Sequence, residues 1–265
     1  VGRVTQRRRI VRVDGARVAE RTDTLAVEEP LEIRVAGQAV SVTMRTPGHD
    51  LDLALGFLVT EGVVRSSGDI TAATTCADNV VEVTTTAAAA ELAVARRFFT
   101  SSSCGVCGKE SVDAVRTTST YDVAGDDVRI TIATLTSLPD RLREAQRVFD
   151  RTGGLHAAGL FNPDGELLCL REDVGRHNAV DKVIGWAAQQ ALLPLRGLVL
   201  QVSGRASFEL VQKAAMGGVP VLAAVSAPSS LAADLAAELG LTLVGFLRGQ
   251  TFNVYARADR IVATH

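Results

Sequence analysis

Apolar and polar positions follow two rhythms along this chain, and the change falls near its middle. In the first third apolar residues alternate with polar ones, the period of half-buried strands. Residues 10–13 lead into Asp14-Gly15 and a returning segment, which predicts a hairpin. Residues 31–42 read as a strand pair turning at Ala36-Gly37, and Pro47-Gly48 ends that pattern. From Leu51 to Val59 the spacing becomes helical and closes at Glu61-Gly62. Residues 79–84 read as a further strand and the alanine-rich 87–95 as a helix.

After Leu135 strands and helices alternate. Residues 139–150 read as an amphipathic helix stopped by Gly153-Gly154. Strands at 155–161 and 166–171 flank the turn Asn162-Pro163-Asp164-Gly165. A helix over 176–192 carries Val180, Val183, Ile184 and Ala187 on its apolar face. Then come strand 198–202, helix 208–216, strand 219–225, helix 231–239 and strands 241–246 and 252–256. Such a succession implies parallel strands covered by helices. The expected class is α/β with a β-rich lobe in front. Residues 1–100 form the lobe, 101–111 a mobile loop and 112–265 the α/β core.

Composition narrows the function classes. A formal charge of −2 over 265 residues argues against a protein built around a nucleic-acid backbone. Lys109, Lys182 and Lys213 are the only lysines, so the arginine excess reads first as a coding bias. No apolar run is long enough to span a bilayer, and the arginine-rich start lacks the apolar core of a secretory signal. Four cysteines do not make a disulfide scaffold, so a reducing cytoplasm is the expected setting.

The strongest candidate chemistry is Cys104 and Cys107, set in the serine- and glycine-rich run 101–109. Such a pair can hold half a metal site, form a reversible disulfide or carry sulfur as a persulfide. Zinc needs four ligands, and Cys76, Cys169, His156 and His177 supply no second spaced pair. A thioredoxin-like site fits poorly, because serines and glycines surround the thiols. A sulfur carrier needs a thiolate on a mobile arm, which Gly105, Gly108 and the serines provide. On residues alone, zinc and sulfur transfer both stay open.

Three strands end in small polar or cationic residues, at the edge where α/β sheets bind ligands. These ends are Ser203-Gly204-Arg205 with Ser207, Ser226 to Ser230, and Phe246-Leu247-Arg248-Gly249-Gln250-Thr251. Helix N-termini and arginine suit phosphate. The plain alternative is that Ser207, Ser229 and Ser230 are ordinary helix caps and the arginines are solvated. A second polar cluster spans 171–182, where His177 and Asp181 share a helix face and the carboxylate can orient the imidazole. Its plain alternative is a solvated helix end laced with ion pairs. His156 reads as a hydrogen-bonded core residue.

The segments SSSCGVCGKES (101–111), GGLHAAGLF (153–161), EDVGRHNAVDK (172–182), 203–232 and GFLRGQTFNVYA (245–256) resemble the formate dehydrogenase accessory sulfurtransferases, the FdhD family. EEPLEIRVAG (28–37) and residues 46–62 resemble its N-terminal part, and the resemblance fades at 64–95 and 117–135. It implies a cytoplasmic protein with a cytidine-deaminase-like core. Such a protein takes sulfur from a cysteine desulfurase and passes it to a molybdenum or tungsten bis-molybdopterin guanine dinucleotide, bound as substrate, for formate dehydrogenase. It also implies Cys104 as the persulfide carrier, Cys107 as a second thiol and Phe246 to Thr251 as the cofactor-binding segment. Ser203, Gly204 and Arg205 join that site from the strand-end reading, and His177 joins it from the polar cluster 171–182. A homodimer is compatible with it, while nucleic-acid and membrane partners are not expected. Deamination is not expected, since His156 lacks a glutamate two positions on and follows the cysteine pair. A cofactor chaperone without sulfur turnover and a zinc-stabilised interaction module are the competing readings.

Overall fold

The computed structural model describes residues 3–96 and 119–263. The expected loop 101–111, with Cys104, Cys107 and Lys109, lies outside the described residues. Strands β1 (Thr5–Asp14) and β2 (Arg17–Ala26) form a hairpin that pairs with no other strand among the described residues. Its two-residue turn uses Gly15 at φ 59°, the left-handed conformation that glycine tolerates. A four-stranded sheet follows, ordered β4-β3-β6-β5, from β3 (Glu29–Val35), β4 (Gln38–Arg45), β5 (Ile70–Ala77) and β6 (Val80–Thr85). Helices α1 (Asp50–Thr60) and α2 (Ala87–Arg96) belong to this half.

The second half holds β7 (Ile130–Thr131), α3 (Ile132–Ala145), α4 (Arg147–Thr152), β8 (His156–Phe161), β9 (Leu167–Asp173) and α5 (Arg176–Gln189). It continues with β10 (Val199–Val202), α6 (Phe208–Met216), β11 (Val221–Ala224) and α7 (Ser230–Leu239). The described chain ends with β12 (Thr242–Arg248), β13 (Thr251–Ala256) and β14 (Ile261–Val262). The main sheet is ordered β13-β12-β11-β10-β8-β9. β10, β11 and β12 are parallel, as the alternation implied, whereas β8, β9 and β13 run antiparallel to their neighbours. The sheet is therefore mixed, and the α/β class holds.

Alternate strand residues feed two cores, as the period of two requires. Val199, Val221, Ala223 and Val244 meet Leu135, Leu138 and Leu142 of α3 on one face. Leu200, Leu222 and Leu243 meet α5, α6 and α7 on the other, in a cluster that continues through α1 to Leu31, Ile33 and Val81 of the small sheet. The hinge of that second core is the crossing of α1 and α5. A Cβ on Gly56 would lie 1.7 Å from the Asp181 carbonyl oxygen, and one on Gly185 would lie 1.8 Å from that of Asp52. Only glycine permits such backbone contact.

One strand and two helix boundaries differ from expectation. β5 was not foreseen, because most of its side chains are exposed and show no alternation. The helix expected from Pro139 begins at Ile132, where the Thr131 side chain accepts the Thr134 N–H as an N-cap, and Pro139 lies inside it. That helix also breaks at Gln146, so α4 is separate. No helix among the described residues is long and apolar enough to cross a membrane.

Candidate functional site

The carboxyl ends of β10, β11 and β12 open on one cleft of about 560 Å³. Because β8 and β9 run antiparallel, the start of β8 and the end of β9 reach the same edge. Ser203, Val225, Leu247, Arg248 and Gly249 come from the three parallel strands, and His156 and Val174 from the other two. α3 and α4 close the opposite wall with Arg143, Gln146 and Phe149, the Arg143 guanidinium lying 4.7 Å above the Phe149 ring. A cavity of this size with few polar groups has the usual form of a small-molecule site.

Backbone hydrogen bonds knit the strand ends together. Ser226 N–H donates to the Gly204 carbonyl, Ala206 N–H to Ala227, Ser229 N–H to Ala206, and Phe246 N–H to Ser226. Ser203 Oγ accepts the Ala157 N–H at 2.9 Å. A β-bulge lies between Gly245 and Arg248, and within it Phe246 sits at φ 53° with its ring exposed. A left-handed phenylalanine is costly, and bulges of this kind re-aim side chains at sites. Arg248 Nε donates to the Val225 carbonyl at 2.9 Å. That is its side chain's one hydrogen bond among the described residues, which leaves its terminal amino groups for a ligand.

His156 is half-buried at the cleft wall. Its Nδ1 would lie 3.3 Å from a Cβ on Gly204, so the glycine makes room for the ring. Burial first, then the positive fields of Arg176 and His177, hold its pKa below the usual imidazole value. It is therefore neutral at neutral pH and offers one acceptor and one donor. Arg176 has a buried Nε with no hydrogen-bond partner among the described residues.

The expected placements divide. Ser203, Leu247, Arg248 and Gly249 line the cleft. Gly204 abuts His156 without lining the cleft, and Arg205, Phe246, Gln250 and Thr251 are exposed on the same rim. His177 lies behind that edge, buried, and its carboxylate neighbour is Glu209 rather than Asp181. His177 Nε2 is 3.8 Å from Glu209 Oε2 and 3.4 Å from Ser207 Oγ. Burial works against the Glu209 carboxylate, but hydrogen bonds from His177, Ser207 and its own backbone hold its pKa down to about 2. Asp181 is claimed from elsewhere. Lys213 Nζ bonds both its oxygens at 2.9 Å and Thr60 Oγ1 donates to it at 2.8 Å. Burial pulls the Lys213 pKa down, yet Asp181 and Glu61 hold it above the usual value.

The polar run 171–182 is not a solvated helix end. Asp173 and Lys182 are fully buried and paired at 2.6 Å, and Lys182 Nζ donates to the Thr46 carbonyl. Asp173 also accepts from Thr46 N–H, Gly175 N–H and Asn178 Nδ2. The run is an internal lock between the two halves. Ser229 is the ordinary cap that the plain reading gave, accepting the Ala232 N–H at 3.2 Å, whereas Ser207 occupies the cap position of α6 without making that bond.

Sequence reasoning missed His156 as a cleft residue and did not reach Glu209, Gln146 or Phe149. No local signal marks them, since their roles arise from contacts between distant segments. A second, larger cavity of about 720 Å³ lies between β4, α1 and the β5–β6 turn. Its buried Arg45 is satisfied by a two-pronged contact to Asp50 and by Asn79, and its Asp52 by Arg171 and Gln189. Those groups are spent on each other. Cys169 is buried, which pushes its thiol up to about 12, and no group of three potential metal ligands occurs among the described residues.

Comparison with known proteins shows the family and the fold. The FdhD/NarQ family model matches residues 26–262. A sulfur carrier protein FdhD of Streptomyces coelicolor is 59% identical over 273 residues, covering 98% of this chain and 97% of that protein. One from Mycobacterium tuberculosis is 54% identical, covering 98% of this chain and 100% of that protein. A crystal structure from Desulfotalea psychrophila, described as a candidate formate dehydrogenase accessory protein, shares the fold with a TM-score of 0.78 at 23% identity. It matches 98% of this chain and 100% of that one. The chain belongs to the FdhD/NarQ family.

Proposed function

We propose that this protein is a sulfur carrier in formate dehydrogenase maturation, taking sulfur from a cysteine desulfurase and delivering it to a guanine-dinucleotide molybdenum or tungsten cofactor held in the cleft. The observation that carries the reading is the convergence of three strand ends on one cavity beside a neutral His156 and an under-used Arg248. The terminal amino groups of Arg248 suit a pyrophosphate, and His156 and Ser203 suit a heterocycle's donors and acceptors. Relatives bearing the name sulfur carrier protein FdhD support the transfer step.

The Cys104 thiolate attacks the outer sulfur of the donor's persulfide. A Cys104–S–SH forms and the donor leaves as a thiolate, with no net oxidation. Attack by the Cys107 thiolate on Cys104 Sγ then releases the outer sulfur as hydrosulfide and leaves a Cys104–Cys107 disulfide, which a cellular dithiol reduces. Arg248, Ser203 and His156 meanwhile hold the acceptor's nucleotide end.

Intact mass after incubation with a cysteine desulfurase and cysteine tests the carrier step. The wild type should gain one sulfur and Cys104→Ala none. If Cys104→Ala gains sulfur at the wild-type level, Cys104 is not the carrier. If neither gains any while cofactor binding persists, the protein is a cofactor chaperone.

A further inference from the structure

The β1–β2 hairpin is a long two-stranded ribbon with nothing built against most of it. Both its faces are largely exposed, and neither of its outer edges pairs with another strand among the described residues. A ribbon of two strands is marginal alone in water, so a sequence that keeps one this long has a use for its surface. All of the ribbon but its last residue, Ala26, precedes the span that the family model matches.

Its chemistry is specific. Residues 3–26 carry seven arginines against three carboxylates, while the rest of the chain carries 21 cationic side chains against 27 carboxylates. The pairing Arg7↔Thr24, Arg9↔Thr22, Val11↔Glu20 and Val13↔Val18 places these residues on one face. Val11, Val13 and Val18 are 62%, 66% and 69% exposed at its tip. Arg7 and Arg9 flank that apolar patch opposite neutral threonines, so neither is directly opposite a carboxylate. The root is fixed beside the cleft. Val27 N–H donates to the Val4 carbonyl, Arg151 of α4 reaches Thr5, and α4 helps wall the cleft.

We infer that this ribbon is a docking arm for an acidic, partly apolar protein face, and that it brings the cofactor-receiving apoenzyme to the mouth of the cleft. The identity of that partner rests on the function proposed above, because the arm is rooted at α4, beside the cleft from which the cargo would leave. Arginines around exposed valines match a face of carboxylates around an apolar centre. A nucleic acid would meet the net negative body of the chain and gain nothing from the valines. A second copy stacked face to face in register would set Arg7 and Arg9 against their own counterparts.

The test measures binding of purified apo-formate dehydrogenase to the full-length chain by biolayer interferometry, for wild type, Arg7→Glu/Arg9→Glu and Val13→Thr/Val18→Thr. The threonine pair keeps strand propensity, and every altered side chain is exposed, so folding is retained. Both variants should bind at least about tenfold more weakly, and wild-type binding should weaken with added salt. Cys104 persulfide formed from inorganic polysulfide, and affinity for guanosine diphosphate, should stay unchanged. Wild-type affinity in both variants overturns the inference. So does light scattering that shows a wild-type dimer turned monomeric by either variant, or a charge-dependent affinity for duplex RNA with apoenzyme binding unaltered. If instead the wild type takes up no sulfur from polysulfide, the proposed function fails and the arm is not what failed.

Discussion

Two regions of this molecule concentrate polar side chains and dispose of them in opposite ways. Where α1 and α5 cross at a glycine contact, Lys213, Asp181 and Thr60 are buried and bonded to one another, and on α5 Lys182 is buried and paired with Asp173. At the carboxyl edge of the main sheet, the Arg248 side chain makes one hydrogen bond among the described residues, His156 is held neutral and Phe246 occupies a left-handed conformation. The crossing spends its polarity on architecture. The edge keeps its polarity available, and that is the mark of a site.

Substitutions that separate the two regions sharpen this contrast. Gly185→Ala places a methyl carbon where the Asp52 carbonyl already sits. It should cost at least 3 kcal/mol or abolish soluble expression, since a backbone contact cannot yield as a flexible side chain does. Lys213→Met strands a buried Asp181 carboxylate and should cost about 3–5 kcal/mol in urea unfolding, with much of the loss recovered in Lys213→Met/Asp181→Leu. A double variant no more stable than the single would remove the ion pair from the account.

Glu209 gives a pH signature. Its folded pKa of about 2 lies below the ordinary 4.5, so its contribution is complete above pH 4.5 and is lost as pH falls toward 2. The loss should reach about 3 kcal/mol at most, and Glu209→Gln should flatten that part of the stability curve. The two helix-cap serines supply the smallest effect. Ser229→Ala should cost about 1 kcal/mol because a cap bond is lost. Ser207→Ala should cost less and move the Glu209 acid limb to higher pH, since Ser207 helps hold that carboxylate down.

The main-sheet elements were legible because period and turn chemistry are local. The strand–helix run from 198 to 246 and the turn at Asn162 to Gly165 carry their own signals. The edge itself was also legible, through three strand ends rich in small polar residues. What escaped was everything set by contacts between distant segments. His177 and Asp181 do share a helix, but α6 delivers Glu209 to one and Lys213 to the other, and no spacing within α5 encodes that choice. The burial of Asp173 and Lys182 depends on Thr46, far away in sequence. β5 lacked alternation because it buries too little to need any.

The cleft is where the account can be broken most directly, by calorimetric titration with guanosine diphosphate. Wild type should bind, and Arg248→Ala should bind about ten- to a hundredfold more weakly with an unchanged melting temperature, as the loss of a charge-assisted contact demands. Equal affinity in the two proteins would contradict the assignment of this edge as the place where the cargo is held.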